Sequence, residues 1–537
     1  MKESPNERLL ERIQRLTTIG IALSAEKDIS RLLENILIGA KELTHADGGS
    51  LYTVTSDNYL KFECMRTDSL SFVMGGTSGK QIPYDPLPLY DDQGEPNLHM
   101  VAACAVLKDK TINIPDAYAD EEFDFSGTRA FDEKTGYHSR SFLTVPMKNH
   151  ENEIIGVMQL INATDPDSGV VIEFTPQDQL LVQALTSQAS VALTNTRLIE
   201  GQRRLFEAFI QLIAAAIDEK SPYTGGHCER VPELTMMIAN AASECNTGVL
   251  KDFKMSEKDA YELHIAGWLH DCGKVTTPEY VVDKATKLET IFDRIEMIRT
   301  RVEVLKRDAR IQMLEAKLNS TDNGHDAEKD YQDSISALED DLAFIEKANI
   351  GGEFMSQEYQ QRIRDIAGRV WEFNSEQQAF LSEDEIDNLN IARGTLNPEE
   401  REVINNHIVM TIKMLGSLPY PKHLKKVTEY AGGHHERMDG KGYPNGLKRE
   451  DMSVQARIMG IADIFEALTA KDRPYKPGKT LTQALFILGK MREDNHIDPD
   501  IFDLFVRNKV YLTYAEKFMD PDQMDQVDEN KIPGYAP

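Results

Sequence analysis

Residues 434–444 of the chain read His434-His435-Glu436-Arg437-Met438-Asp439-Gly440-Lys441-Gly442-Tyr443-Pro444. The two histidines end a helical pattern in which Val427, Tyr430 and Ala431 face inward, and a turn-rich segment follows. An imidazole that faces the interior of a helical domain is a potential metal ligand. The run therefore indicates a helical domain with a polar site in its core.

Five further residues share this feature, because each is a His or Asp on an otherwise apolar helical face. They are His227, His270, Asp271, His407 and Asp463. A single inward histidine is usually an ordinary core residue. An unpaired carboxylate such as Asp463, inside the apolar run 458–468, costs several kcal/mol unless it is neutralised, paired or bound to a cation. Five imidazoles and two carboxylates together exceed what structural His–Asp pairing requires.

The chemistry of this ligand set favours two metal ions. It contains no thiolate, so iron, manganese, zinc or cobalt suit it better than an iron–sulfur cluster. Seven ligands are too many for one tetrahedral ion and suit two ions that share a bridging carboxylate. Two adjacent metals stabilise the attacking and leaving oxygens of an in-line phosphoryl displacement. The set therefore predicts phosphoester hydrolysis.

These motifs resemble the HD-GYP family of bacterial cyclic di-GMP phosphodiesterases, within the wider HD phosphohydrolases. The matching stretches are 218–230, 270–274, 396–407, 434–444, 462–463 and 472–476. The resemblance implies an all-α HD-GYP catalytic domain formed by residues 203–293 and 394–515. It also implies hydrolysis of cyclic di-GMP to linear pGpG, to GMP or to both.

The resemblance also implies a role for each site residue. One metal would be held by His227, His270, Asp271 and Asp463, and the other by His407, His434 and His435, with Asp271 as the bridge. Asp271 and Lys274 would be catalytic, and Lys274, Arg473 and Lys476 would bind the substrate phosphates. Two divalent metal ions are expected, iron or manganese first and zinc or cobalt as alternatives.

The sequence departs from the family pattern at two places. Some members have a Glu four residues before the first His, where it can hold a third metal, but this chain has Tyr223. Residues 294–393 are absent from the compact family core. They contain two charged amphipathic patterns on either side of Asn323-Gly324, which predict an inserted helical hairpin. A structural arm is the favoured interpretation of this hairpin, and partner binding is the alternative.

Residues 8–200 predict a separate α+β domain. Short β-rich runs at 51–55, 141–147 and 154–161 alternate with turn clusters, as in an antiparallel sheet. The domain resembles a GAF sensory domain, which implies a small-molecule ligand or a role in dimerisation. Asn162, Phe174 and Asp178 partly match the signature of cyclic-nucleotide-binding GAF domains, but Ala163 and Gln179 replace its Lys and its final Glu.

A long linking helix is predicted at about 176–219. Apolar residues recur every seven positions there, at Ala184, Val191, Leu198, Leu205 and Leu212. This spacing indicates either the seam of a parallel homodimer or an amphipathic helix packed on its own domain. Residues 516–537 are predicted to form a C-terminal tail.

The charge of the chain limits its partners. Its 537 residues include 60 Lys+Arg and 89 Asp+Glu, for a formal net charge of −29. Such a charge disfavours a nucleic-acid polymer or an anionic membrane as partner. A phosphate-bearing substrate must therefore meet a local cationic site.

A cytoplasmic signalling enzyme is the expectation from the remaining features. The N-terminal residues lack the apolar segment of a signal peptide, and no stretch approaches roughly 18 uninterrupted apolar residues. The five cysteines are scattered without CxxC spacing, which is typical of a reducing compartment. Two alternatives stay open: an HD hydrolase for another cyclic dinucleotide or a nucleotide, and a catalytically silent cyclic di-GMP receptor.

Overall fold

The computed structural model describes residues 5–220, 226–319, 325–352, 354–471 and 478–535. The chain divides into two compact units, Met1–Phe206 and Glu207–Pro537. Within the described residues, no helix combines the length and the apolar character needed to cross a membrane.

The first unit is an α+β structure. Its elements are α1 (Pro5–Ala25), α2 (Ile29–Thr44), β1 (Ala46–Val54), β2 (Tyr59–Thr67), β3 (Phe72–Gly75), β4 (Leu87–Pro88), α3 (Val101–Leu107), β5 (Ile112–Ile114), α4 (Ser126–Thr135), β6 (Phe142–Lys148), β7 (Ile154–Thr164), β8 (Val171–Ile172) and the first part of α5 (Pro176–Lys220). The strands pair antiparallel in the order β3-β2-β1-β7-β6-β5, with β4 on β2 and β8 on β7. The predicted α+β fold and the long linking helix are confirmed.

Successive residues of β1 face two different hydrophobic clusters, because side chains alternate along a strand. Leu51 is buried in a cluster that includes Leu37 of α2 and Leu185 of α5. Tyr52 is buried in another cluster, which includes Ala103 of α3. The sheet therefore separates α2 and α5 from α3.

Two residues of the partial cyclic-nucleotide signature make structural contacts. Asn162 has a φ of 56°, and its side-chain oxygen accepts a hydrogen bond from the backbone N–H of Arg140 at 2.7 Å. Asp178 accepts from the backbone N–H of Thr175 at 2.8 Å and forms an ion pair with Arg12. These contacts hold the end of β7 and the start of α5, so they give both residues a role that needs no nucleotide.

The second unit is mostly helical. After the last part of α5 it contains α6 (His227–Glu244), α7 (Glu257–Leu269), α8 (Glu279–Val282), α9 (Ile295–Asn319), α10 (His325–Asn349), α11 (Gln357–Ala367), β9 (Val370–Phe373), β10 (Glu376–Ala379), α12 (Glu383–Leu389), α13 (Pro398–Gly416), α14 (Val427–Gly432), α15 (Val454–Thr469), α16 (Leu481–Glu493), α17 (Pro499–Arg507) and α18 (Val510–Phe518). A 3₁₀ turn, Cys272–Thr276, follows α7. Helices α6, α7, α13, α14 and α15 pack on one another and carry the site.

Local signals in the sequence set the ends of these helices. Asn397 caps α13, since its side chain accepts from the backbone N–H of Glu400 at 2.8 Å, and Pro398 occupies the first helical turn. Ser256 caps α7 in the same way through Asp259.

Helices α9 and α10 form an antiparallel hairpin. Arg299 pairs with Glu346 at 2.7 Å and Lys306 pairs with Glu339 at 3.0 Å, so residue numbers rise on one helix as they fall on the other. The predicted turn at Asn323-Gly324 lies outside the described residues.

The hairpin is only part of the segment 294–393, so the prediction for this segment was incomplete. Helices α11 and α12 and the antiparallel strands β9 and β10 follow the hairpin. They share a hydrophobic cluster with it, in which Ile298, Ile345, Ile363 and Phe380 are buried. The insertion is therefore a small packed body with its own core.

The C-terminal segment packs within the second unit. Helix α18 extends to Phe518, past residue 516, where the tail was predicted to begin. Ile532 is buried, and a Cβ atom on Gly489 of α16 would lie 2.4 Å from the carbonyl oxygen of Pro533.

Candidate metal centre

The structure brings the seven predicted metal ligands together. His227 begins α6, His270 and Asp271 follow α7, His407 lies in α13, His434 and His435 follow α14, and Asp463 lies in α15. They include two groups whose ligand atoms all lie within 4.8 Å of one another, His227/His270/Asp271 and His407/His434/His435.

The first group is arranged around one carboxylate oxygen. Asp271 Oδ2 lies 3.2 Å from Nε2 of His227 and 3.2 Å from Nε2 of His270. Asp463 Oδ1 lies 3.5 Å from the His227 nitrogen and 3.8 Å from the His270 nitrogen. The four side chains therefore direct their donor atoms at one small volume.

The second group meets the other oxygen of the same carboxylate. Asp271 Oδ1 lies 3.3 Å from Nε2 of His407, which is 3.2 Å from Nε2 of His435. Within the described residues, the buried atoms Asp271 Oδ1 and His434 Nε2 have no hydrogen-bond partner. Buried polar atoms are normally satisfied, and a metal ion at each group would satisfy both. The residues present therefore fit two cations that share Asp271.

Backbone carbonyls orient three of the imidazoles. The Nδ1 atoms of His270, His407 and His434 lie 2.7, 2.5 and 2.7 Å from the carbonyl oxygens of Gly267, Ile404 and Ala431. A carbonyl can only accept, so Nδ1 donates and Nε2 keeps its lone pair for a metal.

His227 is oriented by a carboxylate instead. Its Nδ1 atom lies 2.5 Å from Glu466 Oε2, and Glu466 Oε1 accepts from Arg230 Nε at 2.7 Å. Burial would raise the pKa of Glu466, but the neighbouring His227 and Arg230 lower it to about 2. Glu466 is therefore an ionised acceptor that holds the His227 ring.

Glu466 was missed by the sequence analysis, which went no further than Asp463 in α15. The two carboxylates are three residues apart and so share one face of the helix. The available signal was a second acidic residue on the inward face of the apolar run 458–468.

The two groups differ in protonation when no metal is bound. Burial alone would lower the pKa of His227, but Glu466 and Asp271 raise it to about 10. Burial and the neighbouring His270 lower the pKa of His434 to about 4, and burial also lowers that of His435. At neutral pH His434 and His435 therefore keep free lone pairs, whereas a metal that binds His227 must displace a proton.

Lys274 contacts the shared carboxylate directly. Its Nζ atom lies 2.6 Å from Asp271 Oδ2, and together with His270 it holds the pKa of Asp271 well below the ordinary value although burial would raise it. Gly273 lets this turn approach α13, because a Cβ there would lie 1.9 Å from the carbonyl oxygen of His407.

Residues 436–447 fold into a loop around Glu436. The Glu436 carboxylate accepts from the backbone N–H groups of Asn445 and Leu447, each at 2.8 Å. The loop places Tyr443 on His435, with the rings stacked at a 4.8 Å centroid distance. Burial raises the pKa of Tyr443 to about 12, so its hydroxyl stays protonated. In the sequence Tyr443 was visible only as part of a motif, and it was not predicted as a site residue.

Three residues that the sequence singled out, Tyr223, Arg473 and Lys476, lie outside the described residues. Their predicted roles stay predictions.

Family comparisons identify the class of each unit. Residues 28–193 match the GAF domain family, and residues 383–501 match the HD domain family. The HD match includes His407, His434, His435 and Asp463. The other three candidate ligands precede the insertion and lie outside the matched residues; they are His227, His270 and Asp271. The chain thus carries a GAF domain and an HD domain.

Individual relatives refine this class. The chain is 34% identical over 147 residues to a probable cyclic di-GMP phosphodiesterase of Vibrio cholerae, with 25% of this chain and 32% of the relative covered. It is 43% identical over 82 residues to the 3'3'-cGAMP-specific phosphodiesterase 1 of the same species, covering 15% of this chain and 19% of the relative. It is 26% identical over 250 residues to a cyclic di-GMP phosphodiesterase of Thermotoga maritima, covering 43% and 66%.

Each of these relatives is matched over less than two thirds of its own length. The GAF domain, the HD domain and the relatives named as cyclic di-GMP phosphodiesterases support an architecture of the HD-GYP type. An HD domain is a metal-dependent hydrolase domain, so the second unit is expected to bind divalent metal.

Proposed function

We propose that this chain is a metal-dependent phosphodiesterase that hydrolyses cyclic di-GMP to linear pGpG, to GMP or to both. The observation that carries the proposal is the position of Asp271, whose two carboxylate oxygens lie 3.2 and 3.3 Å from histidines of the two separate groups. A bridging carboxylate of this kind is what a pair of adjacent metal ions requires.

Under this proposal His227, His270, Asp271 and Asp463 hold one ion, and His407, His434 and His435 hold the other with the help of Asp271. These residues would hold iron or manganese first, with zinc or cobalt as alternatives, and the bound ions would supply Lewis-acid chemistry for phosphoester hydrolysis. Glu466 keeps the His227 ring in place, and the carbonyls at Nδ1 keep three other rings in place.

The chain supplies positive charge for the substrate locally. Lys274 is the described cation at the shared carboxylate, where it offers a charge-assisted hydrogen bond to a phosphate. Arg473 and Lys476 are proposed to bind the other phosphate. Tyr443, stacked on His435 at the rim of the second group, offers a ring face and a protonated hydroxyl to a bound nucleotide.

A second substrate is favoured by a specific observation. One matched segment, 43% identical over 82 residues, belongs to a relative named for 3'3'-cGAMP. Both substrates are cyclic dinucleotides with the same phosphodiester ring. A catalytically silent receptor is the less favoured alternative, because the complete ligand set suits catalysis.

The experiment that separates these alternatives is a turnover assay on protein purified without oxygen and loaded with iron or manganese. Cyclic di-GMP and 3'3'-cGAMP are supplied separately, and the products are resolved by chromatography. The proposal predicts faster conversion of cyclic di-GMP. Faster conversion of 3'3'-cGAMP would support the second substrate, and binding without conversion would support a receptor.

Regulation by a GAF ligand is also part of the proposal. The first unit contains a cavity of about 510 Å³, whose lining includes Tyr52, Phe62, Phe72, Phe131 and Tyr137. Asp85 and Asp124 are its charged lining residues, and no Lys, Arg or His of the described chain lines it. Such a cavity suits a flat aromatic molecule that carries no negative charge. A cyclic nucleotide, with its phosphate, fits this lining poorly.

We further propose a homodimer formed through α5. Val191, Leu198, Leu205 and Leu212 of the seven-residue repeat are 47%, 53%, 58% and 63% exposed. These apolar side chains are about half exposed, although the neighbouring Leu185, Ala189 and Leu193 pack α5 into the core of the first unit. A parallel second copy of the helix would cover them.

A further inference from the structure

The last turn of α5 contacts the backbone next to Asp271. The ammonium group of Lys220, which ends α5, donates to the carbonyl oxygens of Lys274, Val275 and Thr277 at 3.2, 2.7 and 2.6 Å. These carbonyls belong to the 3₁₀ turn Cys272–Thr276 and the residue after it. The turn carries Lys274, whose side chain binds Asp271.

Two of these three carbonyls, those of Val275 and Thr277, need a donor from outside the turn, because the Lys274 carbonyl already accepts from the backbone N–H of Thr277 at 3.0 Å. At the end of a short helical turn the last C=O groups have no further N–H groups within the turn. An ammonium group has three donors and no acceptor, so one lysine can satisfy three converging carbonyls with charge-assisted bonds. A neutral side chain of similar length would leave them without this donor.

The same turn of α5 also contacts the backbone around His227. Asp218 Oδ2 accepts from the N–H groups of Gly226 and Cys228 at 3.1 and 3.2 Å. These two amides stand directly before and after His227. Asp218 and Lys220 are two residues apart and point to different sides of the helix, so one turn of α5 holds two separate segments of the site.

We propose that Lys220 and Asp218 are positioning residues that set the geometry of the metal centre. Lys220 fixes the turn that presents Lys274 and follows Asp271, and Asp218 fixes the backbone that presents His227. His227 and Asp271 approach within 3.2 Å, so a small displacement of the last turn of α5 changes the spacing between a ligand and the shared carboxylate. The inference rests on the proposed function, since it names how that same site is regulated.

The way α5 packs is compatible with such a displacement. Near its end, Ile210, Ala214 and Ile217 are buried, whereas Leu205 and Leu212 are exposed. The helix is therefore attached to the second unit along one face, while the opposite stripe is open to a partner helix. A displacement of α5 caused by a partner helix at that stripe would move Lys220 and Asp218, and with them the backbone segments next to Asp271 and His227.

The test compares Lys220→Met and Lys220→Arg in the full chain loaded with manganese. The control is Lys258→Met, which alters an exposed lysine at the start of α7. We expect Lys220→Met to lower kcat by about 10–100-fold, the usual range for outer-shell partners of a metal site. KM and metal content should stay within about twofold of the wild type. Lys220→Arg should restore most of kcat, because a guanidinium can donate to the same carbonyls, and Lys258→Met should change nothing.

A second readout does not depend on activity. The backbone N–H groups of Lys274 and Thr277 donate within this turn at 2.9 and 3.0 Å, and their hydrogen exchange should become faster in Lys220→Met. Asp218→Ala should instead speed exchange at Gly226 and Cys228, which keeps the inference testable if Lys220→Met does not fold.

Wild-type kcat and wild-type exchange in Lys220→Met would overturn the inference. So would a loss of kcat that follows a loss of metal or of melting temperature, because Lys220 would then be only structural. Absence of turnover by the wild type with either cyclic dinucleotide would defeat the proposed function instead, and the exchange rates would still decide the role of Lys220.

Discussion

Nε2 of His407 lies 3.3 Å from Oδ1 of Asp271, and this approach joins parts of the chain that the insertion separates. Gly273 permits it, since a side chain there would collide with the backbone of His407. The other oxygen of Asp271 meets His227 and His270. A single carboxylate thereby connects two clusters of imidazoles.

The pH dependence of the metal-free protein tests the contact between His227 and Glu466. Glu466 and Asp271 raise the pKa of His227 from 6.5 to about 10 in the folded chain. A group whose pKa is higher in the folded state contributes stability that is complete below the unfolded value and is lost as the pH rises through the folded value. The free energy of unfolding should therefore fall, by on the order of a few kcal/mol, between the two pKa values.

Glu466→Gln should weaken this pH dependence, because it removes the anion that stabilises the imidazolium. Thermal unfolding of metal-free wild type, Glu466→Gln and the exposed control Glu516→Gln, measured across that pH interval, checks the prediction. Parallel pH profiles for all three proteins would show that the contact has no such effect.

The number of metal ions per chain is a second prediction. A phenol is a poor ligand beside a carboxylate, since its pKa near 10 leaves it protonated. Elemental analysis should therefore find two ions in the wild type, with no third ion at Tyr223. Tyr223→Glu supplies the missing carboxylate and should raise the count toward three. Three ions in the wild-type chain would contradict the dinuclear site.

The cavity of the GAF domain should discriminate ligands by charge. Quinoline, 1-methylquinolinium and quinoline-2-carboxylate share one flat ring system and differ in charge, and their binding can be followed by ligand-observed NMR. The neutral and cationic probes should bind and the carboxylate should not, because the described lining has carboxylates and no cation. Phe131→Ala should weaken binding several-fold, whereas Phe373→Ala, in the insertion, should not. Equal binding of the anion, or no binding by any probe, would refute this ligand class.

Assembly through α5 is a fourth prediction. Light scattering at micromolar concentration should give the mass of a dimer for the wild type. Leu205→Glu should give a monomer with an unchanged melting temperature, because Leu205 is 58% exposed in the single chain. Leu418→Glu, at an exposed leucine outside the repeat, is the matched control. A monomeric wild type would exclude this interface.

Sequence reasoning reached the seven candidate ligands because their signal is local. An imidazole or carboxylate on an apolar helical face is visible from periodicity, and all seven such residues converge in the structure. Glu466 has the same signal but was not recognised. The role of Glu466 depends on its contact with His227, which belongs to a different helix.

Other features depend on tertiary contacts that no local pattern encodes. Strands β9 and β10 are joined at Asn374 and Ser375, which have φ values of 52° and 63°. This resembles the two-residue turn that Asn-Gly usually marks, but the Gly is missing and the strand residues do not alternate clearly. The hydrophobic cluster shared with α9 and α10 stabilises the segment instead. The contacts of Lys220 likewise depend on backbone carbonyls whose positions only the fold determines.

The most direct test of the account is hydrolysis of cyclic di-GMP by the metal-loaded chain, compared with Asp271→Asn, which keeps the shape of the side chain and removes its charge. The wild type should produce linear pGpG or GMP only when manganese or iron is present. The kcat of Asp271→Asn should fall by at least roughly 100-fold, which is the upper range for changes of residues that only hydrogen-bond to metal ligands. The circular dichroism spectrum should show that the variant keeps its fold. Turnover by Asp271→Asn at the wild-type rate, or no turnover by the fully metal-loaded wild type, would contradict the central claim.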